Sequence, residues 1–268
     1  MPLPVIPKKS LGQNFLNSKR VIETIVKQTD FCSDPWIVEI GPGLGAITEK
    51  LIITGKKVLA IEKDRGLFEI LQEKFVTDID RGVLTLVQGD TISYPIESII
   101  KKGGKYQIAA NIPYNITGLI LRHFLTLPHQ PSQMTLLIQK EVATRILARD
   151  GKHSLLSLSV QVFGAPKLIT HVSKGNFNPS PKVDSSVITI SGISRNKFTS
   201  QKHEDMFFKI IHAGFAHKRK LVLKNITQEL TIDFKKLTSI FTENNISLNA
   251  RAEDISLEAW LSIAQHLL

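Results

Sequence analysis

Short apolar runs alternate with longer amphipathic stretches along the first half of the chain. Each apolar run is rich in Val, Ile or Leu and ends at a turn signal or a polar residue, as buried strands of a wound α/β domain do. The stretches between them carry apolar residues at helical spacing. The predicted strands are residues 36–40, 57–61, 84–87, 106–110 and 134–138, and the predicted helices are residues 46–54, 66–75, 96–101 and 117–125.

Beyond this region the pattern continues briefly and then changes. A buried helix is predicted at 154–163, and two further strands, which bring the total to seven, at 168–172 and 186–190. At 191–201 the apolar pattern lapses into Gly, Ser, Asn and basic residues, which marks a boundary. Four helices are predicted after it, at 204–216, 219–230, 233–242 and 257–267. The chain is therefore expected to be α/β, with a mostly parallel seven-stranded sheet in residues 1–191 and a small α-helical domain in residues 192–268.

The composition is that of an ordinary folded protein. Of the 268 residues, 42% are hydrophobic and 22% are charged, which is typical of a chain that buries a core. No run approaches the ~18 apolar residues of a membrane-spanning helix, and no secretory leader is visible. Cys32 is the single cysteine, so an internal disulfide and a cysteine-based zinc cluster are excluded. We expect a cytoplasmic protein without a metal or a membrane partner.

The net charge of +10 is distributed unevenly along the chain. Basic residues exceed acidic ones in residues 1–30, 140–190 and 191–268, whereas they balance in residues 31–139. A neutral centre with basic flanks suits an enzyme that binds a polyanion, because Lys and Arg displace counterions from phosphates. Charge alone fits a generic basic protein equally well.

A glycine-rich turn joins the first predicted strand to its helix, where residues 38–46 read VEIGPGLGA. Such a turn lets the backbone approach a nucleotide closely. Glu62 ends the next strand, 21 residues after Gly41, where a carboxylate can accept hydrogen bonds from a ribose diol. An adenosine-containing ligand is therefore predicted. The glycine spacing also fits the dinucleotide fingerprint, so a nicotinamide cofactor and S-adenosylmethionine both remain open here, as does a turn that only packs helix on strand.

Asp90 follows the third predicted strand, in the sequence Gln88-Gly89-Asp90. Because the carboxyl ends of parallel strands meet at one edge of a sheet, Asp90 is expected near Gly41 and Glu62. Its carboxylate can accept a hydrogen bond from the amino group of an adenine ring. An Asp after Gly also commonly begins a turn or caps a helix, and that alternative stays open.

The segment Asn111-Ile112-Pro113-Tyr114 follows the fourth predicted strand and suits methyl transfer to the exocyclic amine of a base. The side-chain oxygen of Asn111 and a backbone carbonyl beside Pro113 can accept the hydrogens of the amine as its nitrogen becomes tetrahedral. Tyr114 offers a flat face on which an extruded base can stack. The alternative is a proline-containing turn with a half-buried tyrosine.

The chain resembles the ribosomal RNA adenine dimethyltransferases, in particular the bacterial small-subunit enzymes of the kasugamycin-resistance type. The resemblance extends nearly from end to end. The matching segments are SLGQNFL at 10–16, GPGLGAIT at 41–48, EKD at 62–64, GD at 89–90, NIPYNIT at 111–117, QKEVA at 139–143, NFNPSPKVDS at 176–185 and HAGFAHKRK at 212–220. Ile47, Ile112 and Thr117 depart mildly from the family pattern, which usually has Leu, Leu and Ser.

This resemblance implies a Rossmann-like methyltransferase fold and S-adenosylmethionine as methyl donor. It implies dimethylation of two neighbouring adenosines near the 3′ end of small-subunit ribosomal RNA, in an assembling ribosomal particle, and a monomeric enzyme linked to ribosome biogenesis. It also implies that the base lies between Tyr114 and Phe177. The implied donor-binding residues are Asn14, Leu16, Gly41, Glu62, Asp90 and Asn111, and the implied catalytic residues are Asn111, Pro113, Tyr114 and Phe177.

Three other functions remain open on the sequence. A large-subunit methyltransferase of the macrolide-resistance type typically has Lys where this chain has Leu44, and the basic stretch 212–220 also counts against it. A binding factor for ribosome assembly or transcription on the same fold would not need the intact motif at 111–114 or Glu62. A nicotinamide dehydrogenase lacks support, because no acid and base for hydride transfer are evident.

Overall fold

The structure is a computed structural model that describes residues 7–8, 11–31, 33–101, 103–217 and 219–268. Ser10, Cys32 and Lys218, which the sequence analysis named, lie outside the described residues. The chain divides into two compact units. The first contains the described residues up to Ala143 together with Ala165–Ile193, and the second contains Thr144–Gly164 together with Ser194–Leu268. The predicted boundary after residue 191 lies close to this division, but the segment Thr144–Gly164, expected in the first domain, belongs to the second unit.

The described residues of the first unit form the seven-stranded sheet that the sequence predicts. The strands are β1 (Phe15–Leu16), β2 (Trp36–Ile40), β3 (Lys57–Glu62), β4 (Leu84–Gln88), β5 (Tyr106–Asn111), β6 (Gln133–Gln139), β7 (Ala165–Val172), β8 (Phe177–Asn178) and β9 (Ser185–Ser191). The sheet has the order β4-β3-β2-β5-β6-β9-β7, in which β2 to β6 are parallel and β9 is antiparallel to both its neighbours. A separate small sheet pairs β1 with β8 in antiparallel fashion.

Three of the helices described in this unit, Ala46–Ile53, Arg65–Lys74 and Thr117–Thr126, lie where the apolar spacing predicts them, whereas the other three were not predicted. Its helices are α1 (Lys19–Asp30), α2 (Ala46–Ile53), α3 (Arg65–Lys74), α4 (Val76–Asp80) and α5 (Thr117–Thr126), and α6 (Lys140–Leu147) begins in it and ends in the second unit. The helix predicted at 96–101 is wrong, because only a single 3₁₀ turn, Ile96–Ser98, forms there. Pro95 before this turn and Gly103 and Gly104 after it leave no room for a helix to propagate.

Both faces of the central strands are buried, which explains why these strands read as continuous apolar runs. Ile37 and Val58 belong to a core cluster with residues of α1, α2 and α3. Val38 and Leu59, which follow them in the chain, point to the opposite face of the sheet and are also fully buried. A parallel sheet covered on both faces has this apolar pattern.

The order of the strands places a crevice at the carboxyl ends of β2 and β5. From β2 the chain proceeds outward through β3 to β4, and it then returns to the other side of β2 with β5 and β6. Ligands of open α/β sheets bind at such a reversal of strand order. Gly41, Glu62, Asp90 and Asn111 end or follow the strands β2, β3, β4 and β5, so the topology gathers them at one edge.

The second unit is helical, as the sequence predicts. Its helices, besides the end of α6, are α7 (Leu155–Gln161), α8 (Gln201–Gly214), α9 (Val222–Leu230), α10 (Phe234–Glu243) and α11 (Leu257–His266). A Cβ on Gly214 would lie 2.4 Å from the ring of the buried Trp260, so the two helices α8 and α11 need a glycine at this contact. Arg219 and Lys220 lie in a turn before α9 and not in a helix from residue 219. Within the described part of the chain, no helix is long and apolar enough to cross a membrane.

Candidate active site

A cavity of about 220 Å³ occupies the crevice at the carboxyl ends of the parallel strands. It is lined by the glycine turn, by the segment after β5 and by the N-terminal segment 11–16. Eight of the predicted site residues line it, namely Asn14, Leu16, Gly41, Glu62, Asp90, Asn111, Pro113 and Tyr114. The topology thus brings together residues that are up to 100 positions apart in the chain.

Phe177 is the predicted site residue that the structure does not place in this lining. It is only 4% exposed and belongs to the hydrophobic core cluster. Strand β8 pairs it with Leu16 of β1, which is also buried. Stacking of Phe177 on a base therefore stays a prediction, and in the structure its ring anchors the small sheet that holds the N-terminal segment.

Glu62 is held by backbone donors on both of its carboxylate oxygens. Its Oε2 accepts the N–H of Gly43 at 3.0 Å and its Oε1 accepts the N–H of Asp64 at 2.8 Å. Burial raises the pKa of Glu62. Each carboxylate oxygen has a second lone pair, so the fixed carboxylate can still accept hydrogen bonds from a diol in the cavity.

Asp90 provides an anionic group at another part of the cavity wall. Its Oδ2 accepts a hydrogen bond from Lys63 Nζ at 2.8 Å, and its Oδ1 accepts the N–H of Ile92 at 3.0 Å. The hydrogen bond from Lys63 is the largest cause that lowers the pKa of Asp90. The carboxylate is therefore ionised and oriented at neutral pH. The same contacts make it a turn-forming residue, so the two roles considered for Asp90 are compatible.

Asn111 is oriented by the N-terminal segment. Its Nδ2 donates to the backbone carbonyl of Asn14 at 2.9 Å, and Asn14 in turn donates from its own Nδ2 to the carbonyl of Gly12 at 3.2 Å. Because the amide nitrogen is engaged, the Oδ1 of Asn111 is the group left to accept a hydrogen bond from a ligand. Among the described residues, no donor contacts this oxygen.

The turn after Asn111 fixes both the proline and the tyrosine. The carbonyl of Pro113 accepts the N–H of Ile116 at 3.1 Å. The hydroxyl of Tyr114 shares a 2.6 Å hydrogen bond with the Oγ of Ser185, which is fully buried at the start of β9. Burial raises the pKa of Tyr114, so its phenol stays neutral. Ser185 therefore holds the tyrosine ring at the cavity, a role that the sequence analysis did not assign.

Asp64 fastens the N-terminal segment across the cavity. Its carboxylate caps α3 by accepting the N–H of Gly66 at 2.9 Å, and it also accepts hydrogen bonds from Lys8 Nζ and Gln13 Nε2 at 2.9 and 3.1 Å. Burial acts to raise the pKa of Asp64, but these hydrogen bonds outweigh it and lower the pKa. The position of Asp64 before a predicted helix signals a cap, whereas its contacts with residues 51 and 56 positions away have no sequence signal.

Glu39 is a lining residue that the sequence analysis did not assign. It lies on β2, is 1% exposed, and its Oε2 has no hydrogen-bond partner among the described residues. Burial raises the pKa of Glu39 to about 8. A glutamate inside an otherwise apolar strand is the one sequence signal that could have marked it. At this pKa the carboxyl group is mostly protonated at neutral pH, as expected of a buried acid without a cationic partner.

The family model for "Ribosomal RNA adenine dimethylase" matches residues 7–268. The chain belongs to this family. As a member it uses S-adenosylmethionine as its methyl donor, and it is a methyltransferase and not a nicotinamide enzyme.

Similar proteins include curated bacterial relatives. The "Ribosomal RNA small subunit methyltransferase A" of Dehalococcoides mccartyi (strain CBDB1) is 37% identical over 255 residues, which cover 94% of this chain and 86% of the relative. The protein of the same name from Fusobacterium nucleatum subsp. nucleatum is 34% identical over 258 residues, and the match covers 96% of each chain.

Two solved structures share the fold over nearly the whole chain. The 23S rRNA methyltransferase ErmE matches with a TM-score of 0.74 and 20% identity, covering 95% of this chain and 99% of that one. A dimethyladenosine transferase from Plasmodium falciparum matches with a TM-score of 0.75 and 23% identity, covering 93% and 95%. These likenesses confirm the α/β methyltransferase fold with its helical C-terminal part.

The cavity fits S-adenosylmethionine. A Cβ on Gly41 would meet no atom within 4 Å. The backbone of Gly41 therefore faces open space in the cavity. Glu39, Glu62 and Asp90 line this space. The side chains of Glu62 and Asp90 can accept hydrogen bonds, which suits a ligand with a ribose and an adenine amine, and the ionised Asp90 also suits a cationic ligand. Among the described residues, no group of three His, Cys, Asp or Glu side chains forms a metal site.

Proposed function

We propose that this protein dimethylates the exocyclic amines of two adjacent adenosines near the 3′ end of small-subunit ribosomal RNA. The enzyme acts as a cytoplasmic monomer on an assembling ribosomal particle, and its second unit contributes to RNA binding. The observation that carries this proposal is the orientation of Asn111, whose Nδ2 is tied to the Asn14 carbonyl. Its Oδ1 consequently lies at the cavity as a hydrogen-bond acceptor.

The donor side of the cavity is assigned to residues at three strand ends and in the N-terminal segment. Glu62 accepts hydrogen bonds from the ribose hydroxyls, Asp90 accepts one from the adenine amine, and Gly41 allows close backbone approach. Asn14 and Leu16 cover the donor from the N-terminal segment. When bound, S-adenosylmethionine supplies an electrophilic methyl group on a sulfonium that is already a good leaving group.

The acceptor side activates the amine by hydrogen bonding and not by a strong base. The lone pair of an adenine amine is delocalised into the ring, and attack on the methyl carbon requires a tetrahedral nitrogen. The Oδ1 of Asn111 accepts one N–H of the amine. The Pro113 carbonyl is engaged by Ile116, so the Ile112 carbonyl accepts the other N–H. These acceptors favour the tetrahedral nitrogen as positive charge develops on it, and the product then loses its proton to water.

The choice of the small subunit rests on the curated relatives. Proteins that are more than 30% identical over most of the chain carry a small-subunit name. The 23S rRNA enzyme is similar at 20% identity and supports the fold alone. Leu44, where the large-subunit type typically has Lys, favours the same choice.

The proposal is tested by methyl transfer to defined substrates. Labelled S-adenosylmethionine is incubated with small-subunit particles that lack the modification, with large-subunit RNA and with free adenosine. We expect dimethyladenosine at two adjacent positions of the small-subunit RNA and little transfer elsewhere. Preferential labelling of protein-free large-subunit RNA would favour the macrolide-resistance type. Tight donor binding without transfer to any RNA would favour a binding factor.

The role of Asn111 is tested by its alanine variant in single-turnover reactions. Asn111→Ala should lower the methylation rate by roughly 10²- to 10³-fold, the usual effect of removing one preorganised hydrogen-bonding group from a transition state. Some loss of donor affinity is also expected because the anchor to Asn14 is lost. The control is Asn249→Ala, an exposed asparagine of the second unit, which should keep the parental rate. A parental rate in Asn111→Ala would exclude the proposed acceptor role.

A further inference from the structure

The segment before β9, which contains basic residues, lies close to Tyr114 of the cavity lining within the first unit. The partly buried hydrogen bond between Tyr114 and Ser185 places the start of β9 beside the tyrosine. Asp184, which precedes Ser185, is close enough to Tyr114 that it adds to the effect of burial in raising the pKa of the phenol. The segment before β9 therefore lies next to the position assigned to the acceptor base.

Asp184 accepts hydrogen bonds from the backbone N–H groups of two lysines. Its backbone carbonyl accepts the N–H of Lys140 at 3.0 Å, and its Oδ1 accepts the N–H of Lys174 at 3.0 Å. Lys182 lies two residues before Asp184 in the same segment. The backbones of Lys140 and Lys174 thus contact Asp184, and Lys182 lies near it along the chain. We call Lys140, Lys174 and Lys182 the lysine cluster.

The lysine cluster is accessible. All three lysines are exposed. Within the described part of the chain, no carboxylate lies within ion-pairing distance of the ammonium groups of Lys174 and Lys182. The nearby acidic residues along the chain are Asp184, whose Oδ1 is occupied by the Lys174 N–H, and Glu141. Long flexible lysines on such a rim bind phosphates as point charges.

We propose that the lysine cluster binds the RNA phosphates that flank the adenosine extruded into the cavity. This inference rests on the proposed function and deepens it, because it assigns an RNA-binding surface to the first unit, separate from the basic stretch of the second unit. A base that leaves its stack carries its ribose and neighbouring phosphates to the rim of the pocket. Ser185 contacts Tyr114, and the adjacent Asp184 contacts the backbones of Lys140 and Lys174, so one segment of the chain connects the tyrosine with the lysine cluster.

The experiment measures RNA affinity as a function of salt without donor, so that its result does not depend on methyl transfer. The probe is a short RNA hairpin with two adjacent adenosines in its loop. In the variant Lys174→Gln/Lys182→Gln we expect the slope of log affinity against log salt to flatten by about 1.4, which is about 0.7 for each single-stranded phosphate contact. The variant Lys174→Arg/Lys182→Arg should keep the parental slope.

A matched control removes two exposed lysines at the amino ends of the strands, whereas the cavity lies at their carboxyl ends. Lys105 directly precedes β5, and Lys27 lies in the last turn of α1. The Gln107 side chain of β5 donates to the Thr29 carbonyl at the end of α1, which places both lysines at the amino ends of the strands. Lys27→Gln/Lys105→Gln lowers the net charge equally but should leave the slope unchanged.

The outcomes separate this inference from the proposed function. A slope in Lys174→Gln/Lys182→Gln that equals the parental slope, or that changes only as much as in the control, would overturn the inference even when the parent methylates small-subunit RNA. A flattened slope in this variant alone would support it. Methyl transfer by the parent, measured separately on the particles, decides the proposed function.

Discussion

Replacement of Gly45 by alanine should destabilise the first unit through a clash that can be read from the structure. Gly45 precedes α2 with φ of +76°, and an added Cβ would lie 2.5 Å from Cε2 of Phe75 and 2.9 Å from Cδ2 of Leu71. Both partners are buried in the core, with exposed fractions of 4% and 0%. Neither side chain can therefore move into solvent to make room.

Gly55 offers a matched control. Its φ of +77° equals that of Gly45 to within a degree, but an added Cβ would meet no atom within 4 Å. In both variants the alanine has a left-handed backbone conformation, which lowers the free energy of unfolding by about 1 to 2 kcal/mol. The lower entropy of the unfolded chain offsets about 0.4 to 1 kcal/mol of this loss. Gly45→Ala adds an overpacking cost of about 1 to 3 kcal/mol. The difference between the two variants thus isolates the clash.

The assay is urea unfolding followed by far-ultraviolet circular dichroism for the parent and both variants. We expect Gly55→Ala to unfold at a slightly lower urea concentration than the parent and Gly45→Ala at a clearly lower one. The slopes with urea should be similar, because the surface exposed on unfolding hardly changes. Equal midpoints for the two variants would refute the packing argument and show that the loop relaxes around the new methyl group.

The remaining predictions concern the cavity and the second unit. Glu62→Ala should weaken S-adenosylmethionine binding with little change in RNA affinity, and titration of both ligands measures this; an unchanged donor affinity would show that the ribose contact is misassigned. The pKa of Glu39 is raised from 4.5 to about 8, so between these pH values the folded state binds the proton that the unfolded state has lost. Stability should therefore fall as pH rises through this window, and Glu39→Gln should reduce that fall in urea unfolding at several pH values; parallel pH profiles for variant and parent would contradict it. Neutralising Lys218, Arg219 and Lys220 should flatten the salt slope of RNA binding by up to about 0.7 for each contact, and an unchanged slope would mean that these residues do not contact RNA phosphates.

The ends of the strands in the seven-stranded sheet could be predicted to within three residues, because burial in the sheet gives these strands continuous apolar runs. Each central strand is buried on both faces, so the apolar run and the strand coincide. The strand that differs most from its prediction, β7, begins at Ala165 and not at residue 168, where alternating exposure weakens the apolar signal. The strands β1 and β8 have two residues each, too few to show any period.

The site could be predicted where a residue follows a strand, and not where a contact is made between distant segments. Strand order alone brings Gly41, Glu62, Asp90 and Asn111 to one edge. The hydrogen bonds of Ser185 with Tyr114 and of Asn111 with Asn14 link residues 71 and 97 positions apart. Local patterns contain no information on such pairs, so only the three-dimensional structure assigns them.

The boundary between the two units could likewise be predicted only where a local change in the sequence marks it. The boundary near residue 191 is marked by a local change of composition, whereas the segment Thr144–Gly164 leaves the first unit without such a mark. Its Gln161 carbonyl accepts a hydrogen bond from Lys197, and its Lys152 pairs with Glu253 at 2.8 Å. A truncation after residue 191 would consequently remove the partners of this segment. A truncated enzyme is therefore a poorer test of the second unit than point substitutions on its surface.

The uneven distribution of charge along the chain can be compared with the positions of the charged residues in the folded structure. Residues 31–139 are neutral on average, yet they place Glu39, Glu62 and Asp90 around one cavity. The lysine cluster comes from residues 140–190, where basic residues are in excess. A sulfonium donor is cationic, whereas the RNA acceptor is a polyanion, so their binding sites require opposite signs. In the proposed function, the acidic residues of the cavity and the basic excess of residues 140–190 match the opposite charges of the donor and the RNA. Residues 31–139 are neutral on average because basic residues of the same segment, among them Lys63 beside Asp90, balance these acidic residues.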